Sequence, residues 1–398
     1  MAVYVTSDAH GHVRALDEAL SAASPGADDV IYVLGDMIDR GPDPLGVIKL
    51  VRSLPNARVL MGNHEQIMLT ATARSGAPHD GAFDISHFGM DEFLDWTCWM
   101  QNGGAATSGQ MEKLSSDEYE ELRGWISELP RYAVVEVAGR LHALVHAGID
   151  PARAAGWLRG GGLAVVDDGE VVGDAPEVSS SDDGASTQGD GEEKAPAAGE
   201  ATPTVSEDCA DKPDGDHDGS ASVSKAKSEA AGEPEPSDSE HSDGPDEEEA
   251  PSPKPGVSAS SPAREVLSPS ALDPSLLTAD QLGCLLAAQD PEDLLWVREL
   301  FWGVPTGLIG ADGCGPLVIS GHTPSPYLPV YIGRTDIDCA TSDGHGKVVE
   351  LGACDATGGV ADKVDIDCAA AGGFGIGRVG ILRLDDRATW YAEVCEGE

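Results

Sequence analysis

The chain has 398 residues with 70 acidic and 25 basic side chains, which give a formal net charge of −45. This charge argues against coating nucleic acid or binding an anionic membrane, because both roles need a basic face. The chain lacks a run of 18 apolar residues and a basic, apolar leader, so we expect neither a transmembrane helix nor a signal peptide. Its eight cysteines are dispersed without a CxxC pair, which favours a reduced, cytoplasmic protein.

Short apolar runs in the first third of the chain are each followed by a polar turn. The runs Val3–Val5, Val30–Leu34 and Arg58–Met61 have the composition of buried strands. The turns after them read Ser-Asp-Ala-His-Gly from residue 7, Gly-Asp-Met-Ile-Asp-Arg-Gly from residue 35 and Gly-Asn-His-Glu from residue 62. Leucines at helical spacing, as at Leu16 and Leu20, separate the runs, so we predict a sheet covered by helices.

The middle of the chain, residues 166–270, has a different composition. It holds 28 acidic and 6 basic residues, and Phe, Trp and Tyr are absent between Trp157 and Trp296. Such a segment cannot bury enough apolar surface to offset the entropy lost on ordering. We predict a disordered, acidic, low-complexity insertion at 166–270 that divides one folded domain made of residues 1–165 and 271–398. The insertion is either a tolerated loop or a regulatory arm whose partner is unknown.

The strand-and-turn pattern recurs on both sides of this insertion. Leu141–Val145 precedes His-Ala-Gly at residue 146, and Leu317–Ser320 precedes Gly-His-Thr at residue 321. Ligands of open α/β sheets bind beyond the carboxyl ends of the strands, so we expect the five turns to converge on one rim. Two carboxylates, three imidazoles and one amide would meet there: Asp8, His10, Asp36, Asn63, His146 and His322.

These six side chains have the donor chemistry of a two-metal site. Carboxylate, imidazole and amide donors without a thiolate suit Mn²⁺, Fe or Zn²⁺. Six ligands exceed one tetrahedral site and fit two divalent ions that share a bridging carboxylate. Paired ions of this kind stabilise the attacking and leaving oxygens of a phosphoryl displacement. The sequence therefore predicts a binuclear centre, with Mn²⁺ as the favoured ion and Fe or Zn²⁺ as alternatives.

Together the five turns resemble the motif series of the calcineurin-like metallophosphoesterases, and more narrowly the phosphoprotein phosphatases of the bacterial and lambda-phage branch. The series D-x-H-G, G-D-x-x-D-R-G, G-N-H-E, H-[AG]-G and G-H-T is intact. The resemblance covers about residues 1–165 and 271–398, and it implies an α/β fold, the four-layer αββα sandwich. It also implies that Asp36 bridges the two metals, the first held by Asp8 and His10 and the second by Asn63, His146 and His322.

The resemblance implies catalytic and substrate-binding residues as well. Arg40 would bind the phosphate, and His64, oriented by Asp39, would protonate the leaving oxygen; general chemistry agrees with both roles. Arg298 resembles a second phosphate-binding arginine, although it could equally be a surface residue on a helix capped at residue 290. Asn102 lies in a loop similar to the substrate-side loop of the bacterial members, where a plain glycine turn is the alternative.

One part of the C-terminal region departs from the family pattern. The pentapeptide Asp-Ile-Asp-Cys-Ala occurs at Asp336–Ala340 and again at Asp365–Ala369, where the family has one copy. We interpret the stretch between the copies as an insertion or local duplication that lengthens a hairpin before the final strands. Asp336, Asp338 and Asp343 are not assigned as metal ligands, since isolated Asp residues in glycine-rich loops usually form turns.

The leading function is hydrolysis of phosphomonoesters on a protein, as in serine/threonine phosphatases, with a metal-activated hydroxide as nucleophile. The closest alternative is symmetrical hydrolysis of diadenosine polyphosphates. The enzymes that catalyse it generally lack an acid at the position of Asp39 and have Asp at the position of Glu65. A third possibility, an inactive scaffold with an acidic interaction arm, would require loss of a ligand or of Arg40, and none is lost. The expected partner is a phosphoprotein or a phosphorylated small molecule, not nucleic acid or a membrane.

Overall fold

The computed structural model describes residues 1–162 and 270–398, which fall within one compact unit. The insertion predicted at 166–270 lies outside the described residues except for Ser270. Within the two described ranges, every helix is too short or too polar to cross a membrane.

Strands in the described ranges form two five-stranded sheets. The first has the order β10-β9-β1-β2-β3 and consists of β1 (Val3–Thr6), β2 (Val30–Val33), β3 (Ala57–Val59), β9 (Arg378–Arg383) and β10 (Thr389–Glu393). The second has the order β4-β5-β6-β8-β7 and consists of β4 (Tyr132–Val137), β5 (Arg140–Val145), β6 (Leu317–Ser320), β7 (Val349–Leu351) and β8 (Lys363–Asp365). The runs β1-β2-β3 and β5-β6-β8 are parallel, so each sheet has one edge where several strand carboxyl ends meet.

Helices connect and cover these strands. They are α1 (Val13–Ala23), α2 (Pro44–Ser53), α3 (Asn63–Ala71), α4 (Met90–Gln101), α5 (Ala105–Met111), α6 (Ser116–Ser127), α7 (Pro151–Arg159), α8 (Ala279–Ala287), α9 (Pro291–Trp296), α10 (Glu299–Trp302) and α11 (Leu328–Ile332). Three of them, α2, α7 and α9, begin with the same device, an Asp whose side chain accepts a backbone N–H of the first turn, followed by Pro as the first helical residue.

Alternating side chains along the strands divide the interior into three apolar layers. Tyr4 of β1 packs with the helices over the first sheet, whereas Val3 and Val5 pack between the sheets. On β5, Leu144 points between the sheets, whereas Val145 packs with the helices over the second sheet. Since successive strand residues face opposite sides, both sheets are buried on both faces. Helices, sheet, sheet and helices thus form the four-layer αββα arrangement expected from the sequence.

The two copies of the repeated pentapeptide have different structures. Asp336–Ala340 lies in a loop, whereas Asp365–Ala369 begins at the last residue of β8. The stretch between the copies supplies β7, which pairs with β8 as an antiparallel hairpin on the second sheet. The hairpin precedes the final strands, as expected, but β9 and β10 belong to the first sheet. Asp365 therefore lies beside Ser320, at the carboxyl end of β6.

Candidate metal centre

The five polar turns meet where the carboxyl ends of the two sheets face each other. The backbone N–H of His10 donates to the carbonyl of Asp36 at 2.9 Å, and that of Gly321 donates to the carbonyl of His146 at 2.8 Å. The Asp8 carboxylate joins the sheets, because its Oδ2 accepts the backbone N–H of His322 at 3.0 Å. The structure thus brings together, in buried positions, Asp8, His10, Asp36, Asn63, His146 and His322.

The backbone of these turns is held in an unfavourable conformation. Eleven non-glycine residues of the described ranges have positive φ, and six of them are residues singled out from the sequence: Asp8, His10, Asp36, Asp39, Arg40 and His322. A left-handed backbone at residues other than glycine persists only where the surrounding structure enforces it, and such residues cluster at functional sites. The strained backbone of these turns allows their polar side chains to converge on one centre.

Asp36 stands between two groups of donors. Its Oδ2 lies 3.5 Å from His10 Nε2, and its Oδ1 lies 3.5 Å from His146 Nε2. Asp8 Oδ1 is 4.0 Å from the same nitrogen of His10. On the other side, Asn63 Oδ1 lies 2.8 Å from His146 Nε2 and 3.1 Å from His322 Nδ1. The two carboxylate oxygens of Asp36 therefore face different donor groups.

Main-chain carbonyls orient two of the imidazoles. His10 Nδ1 is 2.9 Å from the carbonyl of Ile38, and His146 Nδ1 is 2.7 Å from that of Leu34. Each contact leaves Nε2 directed at the centre, as is usual for metal-binding histidines.

The donors fit divalent cations. Asp8 Oδ1 and His322 Nε2 are buried without a hydrogen-bond partner in the described ranges, which is costly unless something else binds them. Burial, and then the nearby charge of Asp8, raises the pKa of Asp36 well above its usual range. Burial lowers the pKa values of His10 and His322, which favours the neutral imidazole that binds metals. Asp36 could share metal ions with His10 and with the pair His146 and His322.

Arg40, His64 and Asp39 form a chain of polar contacts beside these donors. His64 Nδ1 lies 2.8 Å from Asp39 Oδ2, and Arg40 Nη2 lies 3.1 Å from His64 Nε2. Trp99 Nε1 donates to Asp39 at 3.1 Å and Thr107 Oγ1 donates to it at 2.5 Å. Burial raises the pKa of Asp39 to about 7 and lowers that of His64. The Asp39 carboxylate therefore orients the His64 ring through Nδ1, and the Arg40 guanidinium contacts the ring at Nε2.

The two remaining candidates differ in their surroundings. Arg298 is half-buried, follows α9 and precedes α10, so it does not lie within the helix that begins after Asp290. Its positive charge contributes to the lowered pKa of His322, which indicates proximity to the centre. Asn102 ends α4, and its Nδ2 donates to the carbonyl of Cys98 at 2.9 Å. Its side chain therefore caps its own helix, while the following Gly103 accepts the backbone N–H of Arg40 at 3.0 Å.

Several groups of the site were missed in the sequence. Glu65 accepts the backbone N–H groups of Asp36, Met37 and Gly62 at 2.8 to 3.0 Å, so it links two of the turns. Asp365 and Asp367 are buried after β8, and burial together with neighbouring carboxylates raises the pKa of both. The sequence does not place them at the site, because their position depends on the pairing of β8 with β6 and the residues before Asp365 do not form an apolar run.

Comparison with known proteins finds similarity in the first part of the chain. Residues 1–166 match the family profile described as calcineurin-like phosphoesterase. A protein named bis(5'-nucleosyl)-tetraphosphatase, symmetrical, from Proteus mirabilis is 33% identical over 101 residues, which are 24% of this chain and 37% of that protein. A protein of the same name from Aromatoleum aromaticum is 27% identical over 174 residues, which are 43% of this chain and 52% of that protein.

A crystal structure of a metallophosphoesterase from Sphaerobacter thermophilus has 22% identity over 38% of this chain and 48% of that chain, with a TM-score of 0.23. The chain spans between about a third and a half of the length of the two curated relatives. The family match covers the first four of the five motif turns. Residues 1–166 of the chain are therefore similar to the calcineurin-like phosphoesterases.

Proposed function

We propose that the chain is a phosphoester hydrolase that works with two divalent metal ions. The observation that carries the proposal is the position of Asp36, whose two oxygens each lie 3.5 Å from an imidazole of a different donor group. One ion would be held by Asp8, His10 and Asp36, and the other by Asp36, Asn63, His146 and His322. When bound, such ions neutralise phosphate charge and activate water.

The residues around the donors would bind the phosphate. Arg40 offers a planar guanidinium that matches two phosphate oxygens, and its contact with His64 holds it at the edge of the centre. The charge of Arg298, between α9 and α10, lowers the pKa values of His64, His146 and His322. This positive charge near the donors supports Arg298 as a second contact for the phosphate. Asn102 supports the loop that holds Arg40 and is a weaker candidate for direct contact.

The Asp39–His64 pair favours a phosphomonoester on a protein as substrate. A serine or threonine leaving group is a strongly basic alkoxide, so its departure requires a proton in the transition state. An imidazole held by a carboxylate can deliver that proton and stay correctly oriented, and the 2.8 Å contact provides this arrangement. A nucleoside diphosphate leaving group is already a weak base and needs no such donor.

A second candidate function is symmetrical hydrolysis of dinucleoside tetraphosphates. It is favoured by the names of the relatives from Proteus mirabilis and Aromatoleum aromaticum, which are symmetrical bis(5'-nucleosyl)-tetraphosphatases. The same metal donors and the same arginine would serve both reactions, so the candidates differ in the shape of the substrate site and in the need for a proton donor.

One product assay tests both candidates. The full chain, loaded with Mn²⁺, is given a phosphothreonine peptide and diadenosine tetraphosphate in parallel, and inorganic phosphate and ADP are quantified. We expect phosphate from the peptide with a kcat/KM at least about tenfold above that for ADP formation. The reverse preference would establish the nucleotide reaction, and no turnover of either substrate by the metal-loaded protein would refute the hydrolase. The Asp36→Asn variant, purified identically, controls for contaminating phosphatases.

A further inference from the structure

A second cluster of potential metal donors lies in the stretch between the repeated pentapeptides. It consists of Asp343, His345 and Glu393, and one donor atom from each lies within 4.8 Å of the other two. Asp343 and His345 lie on a tight loop closed by the Ala340–Gly346 bridge, and Glu393 is the last residue of the edge strand β10. The cluster shares no residue with the centre described above.

His345 shows the clearest sign of a missing ligand. Its residue is 9% exposed, and its Nδ1 is buried without a hydrogen-bond partner in the described ranges. Asp343 Oδ2 lies 3.4 Å from this nitrogen, which is an ion-pair distance longer than that of a usual N–H···O hydrogen bond. A buried ring nitrogen in this state loses its hydration without gaining a hydrogen-bond partner, which is unfavourable.

The spacing of the donors matches that around a small cation. Zn²⁺ binds imidazole nitrogen and carboxylate oxygen at about 2.0–2.2 Å, so neighbouring ligands of a tetrahedral ion are about 3.4 Å apart. The His345–Asp343 separation equals this value. Glu393 has an exposed side chain with a carboxylate oxygen within 4.8 Å of the other two donors, so it can supply the third ligand, with water as the fourth.

We propose that Asp343, His345 and Glu393 bind one Zn²⁺-type divalent cation that ties the inserted loop to the edge strand β10. One imidazole and two carboxylates are donors that suit Zn²⁺, and two acids neutralise its charge. The loop already contacts the first sheet, and a bound cation would add to these contacts: Val348 N–H donates to the Tyr391 hydroxyl at 3.2 Å, and the Gly346 carbonyl accepts from Arg378 Nε.

The inserted loop is also connected to the turn that carries His322 of the candidate metal centre. Lys347 N–H donates to Ser325 Oγ at 2.9 Å, and Ser325 follows His322 by three residues. A bound cation would therefore order a loop that supports the turn carrying a proposed ligand. The proposal does not depend on the reaction that the chain catalyses.

The test compares Zn²⁺ content between matched variants of the full chain. Wild-type protein, Glu393→Gln, Asp343→Asn and His345→Ala are dialysed to equilibrium against Zn²⁺, and bound metal is measured by mass spectrometry. We expect each variant to bind one Zn²⁺ per chain fewer than the wild type. Zinc bound elsewhere, including by acids of residues 163–269, is common to all samples and cancels.

A matched control is available in the His79–Asp80 pair. Its His79 Nδ1 lies 3.1 Å from Asp80 Oδ2, but both side chains are exposed, so His79→Ala should leave the Zn²⁺ content unchanged. Hydrogen exchange gives the second measurement: Zn²⁺ should slow exchange of residues 341–347 in the wild type and not in Glu393→Gln. Equal Zn²⁺ content in the wild type and in the exposed-site variants Glu393→Gln and Asp343→Asn would overturn the proposal, even if His345→Ala fails to fold.

Discussion

Asp36 is the side chain through which the two donor groups of the centre are coupled. Asp36→Asn keeps the size of the side chain but removes its charge and one of the two anionic oxygens that face His10 and His146. We expect fewer than two metal ions per chain and a loss of kcat of about 10²-fold or more, the scale seen when an electrostatic contact at a reacting centre is removed. Metal analysis and rates on one preparation check this.

Asp17→Asn, on the exposed face of α1, is the control for that measurement, because it makes the same change away from the centre. Two bound ions and a near-normal rate in Asp36→Asn would show that Asp36 does not bridge metals.

His64 should affect the chemistry more than metal binding. Its Nδ1 lies 2.8 Å from Asp39 Oδ2 and its Nε2 lies 3.1 Å from Arg40 Nη2, and in the proposed function it donates the proton to the leaving oxygen. We expect His64→Asn to retain both metals and to lose about 10²–10⁴-fold in rate on a phosphothreonine peptide, the range for a general acid. The loss should shrink with p-nitrophenyl phosphate, whose leaving group needs less protonation. Equal losses on the two substrates would exclude the proton-donor role.

His142 should make the stability of the protein depend on pH. It is 2% exposed on β5, neither ring nitrogen has a hydrogen-bond partner in the described ranges, and the charges near it are Arg140 and Arg387. Burial, and then these arginines, lowers its pKa from 6.5 to about 4. Between pH 6.5 and about pH 4, His142 is protonated in the unfolded chain but stays neutral in the native protein. The free energy of unfolding therefore falls as the pH drops.

The proton-linked loss of stability should reach about 3 kcal/mol at pH 4, from about 1.4 kcal/mol for each unit of pKa shift. Urea unfolding at pH 7.5 and pH 5 measures the first part of this loss, which should be about 2 kcal/mol at pH 5. His142→Leu should lose less stability than the wild type over this interval, whereas His79→Leu, at an exposed site, should behave as the wild type. A parallel decline in all three proteins would mean that other groups cause the acid sensitivity.

At the scale of elements, the end of α4 sets the position of Arg40. Gly103 has φ of +93°, and a Cβ added there would lie 2.8 Å from Arg40 Cγ and 3.0 Å from its backbone nitrogen. Gly103→Ala should therefore displace Arg40, raise KM for a phosphorylated substrate by about tenfold and leave the metal content unchanged. Gly109→Ala on α5, where an added Cβ meets nothing within 4 Å, is the matched control. A normal KM in Gly103→Ala would separate this loop from phosphate binding.

The strands and their polar turns could be predicted because the signals are local. An apolar run followed by Asp or His within a few residues identified the ends of β1, β2, β5 and β6. The membership of strands in sheets could not be predicted, since it depends on pairing between distant segments: β8 pairs with β6, and β9 pairs with β1. The sequence therefore assigns no role to Asp365 and Asp367, because their position beside the centre follows from that pairing.

The same limit applies to the side chains that hold Asp39. Trp99 and Thr107 follow Asp39 by 60 and 68 residues in the sequence. The residues around them form no motif that would predict a hydrogen bond to a carboxylate. β3 shows a smaller difference, since the apolar run continues to Met61 but strand pairing ends at Val59. The chain leaves the sheet there because Met61 N–H donates to the carbonyl of Pro130, outside any strand.

On the scale of the whole molecule, the two described ranges meet where the insertion begins and ends. Leu272 N–H donates to the carbonyl of Leu158 at 2.9 Å, and Leu272 packs against the apolar cluster that contains Trp157. The two ends of the chain segment 163–269 therefore start from neighbouring points on one body. We propose on this basis that residues 1–165 and 271–398 form one discontinuous catalytic domain.

Replacing residues 166–270 by a short Gly/Ser linker should leave a folded enzyme that binds two metals. The adjacent ends allow a short connection, and loop-closure entropy changes slowly with loop length, so the free energy of unfolding should change by only about 1–2 kcal/mol. The deletion also removes 28 of the 70 acidic residues. Because an anionic segment repels anionic substrates, KM for a phosphopeptide should fall or stay level at low salt, with kcat little changed.

Varying the salt concentration distinguishes an effect of the segment's charge on KM from an effect of direct contact or structure. At physiological ionic strength charges are screened beyond about 8 Å, so the KM values of the full chain and the deletion should converge as salt is added. The measurement is KM for one phosphopeptide at low and physiological salt, with circular dichroism and metal content checked on both proteins. An insoluble or metal-free deletion would place part of 166–270 within the folded domain, and a KM difference that persists at high salt would mean that the segment contacts the substrate directly.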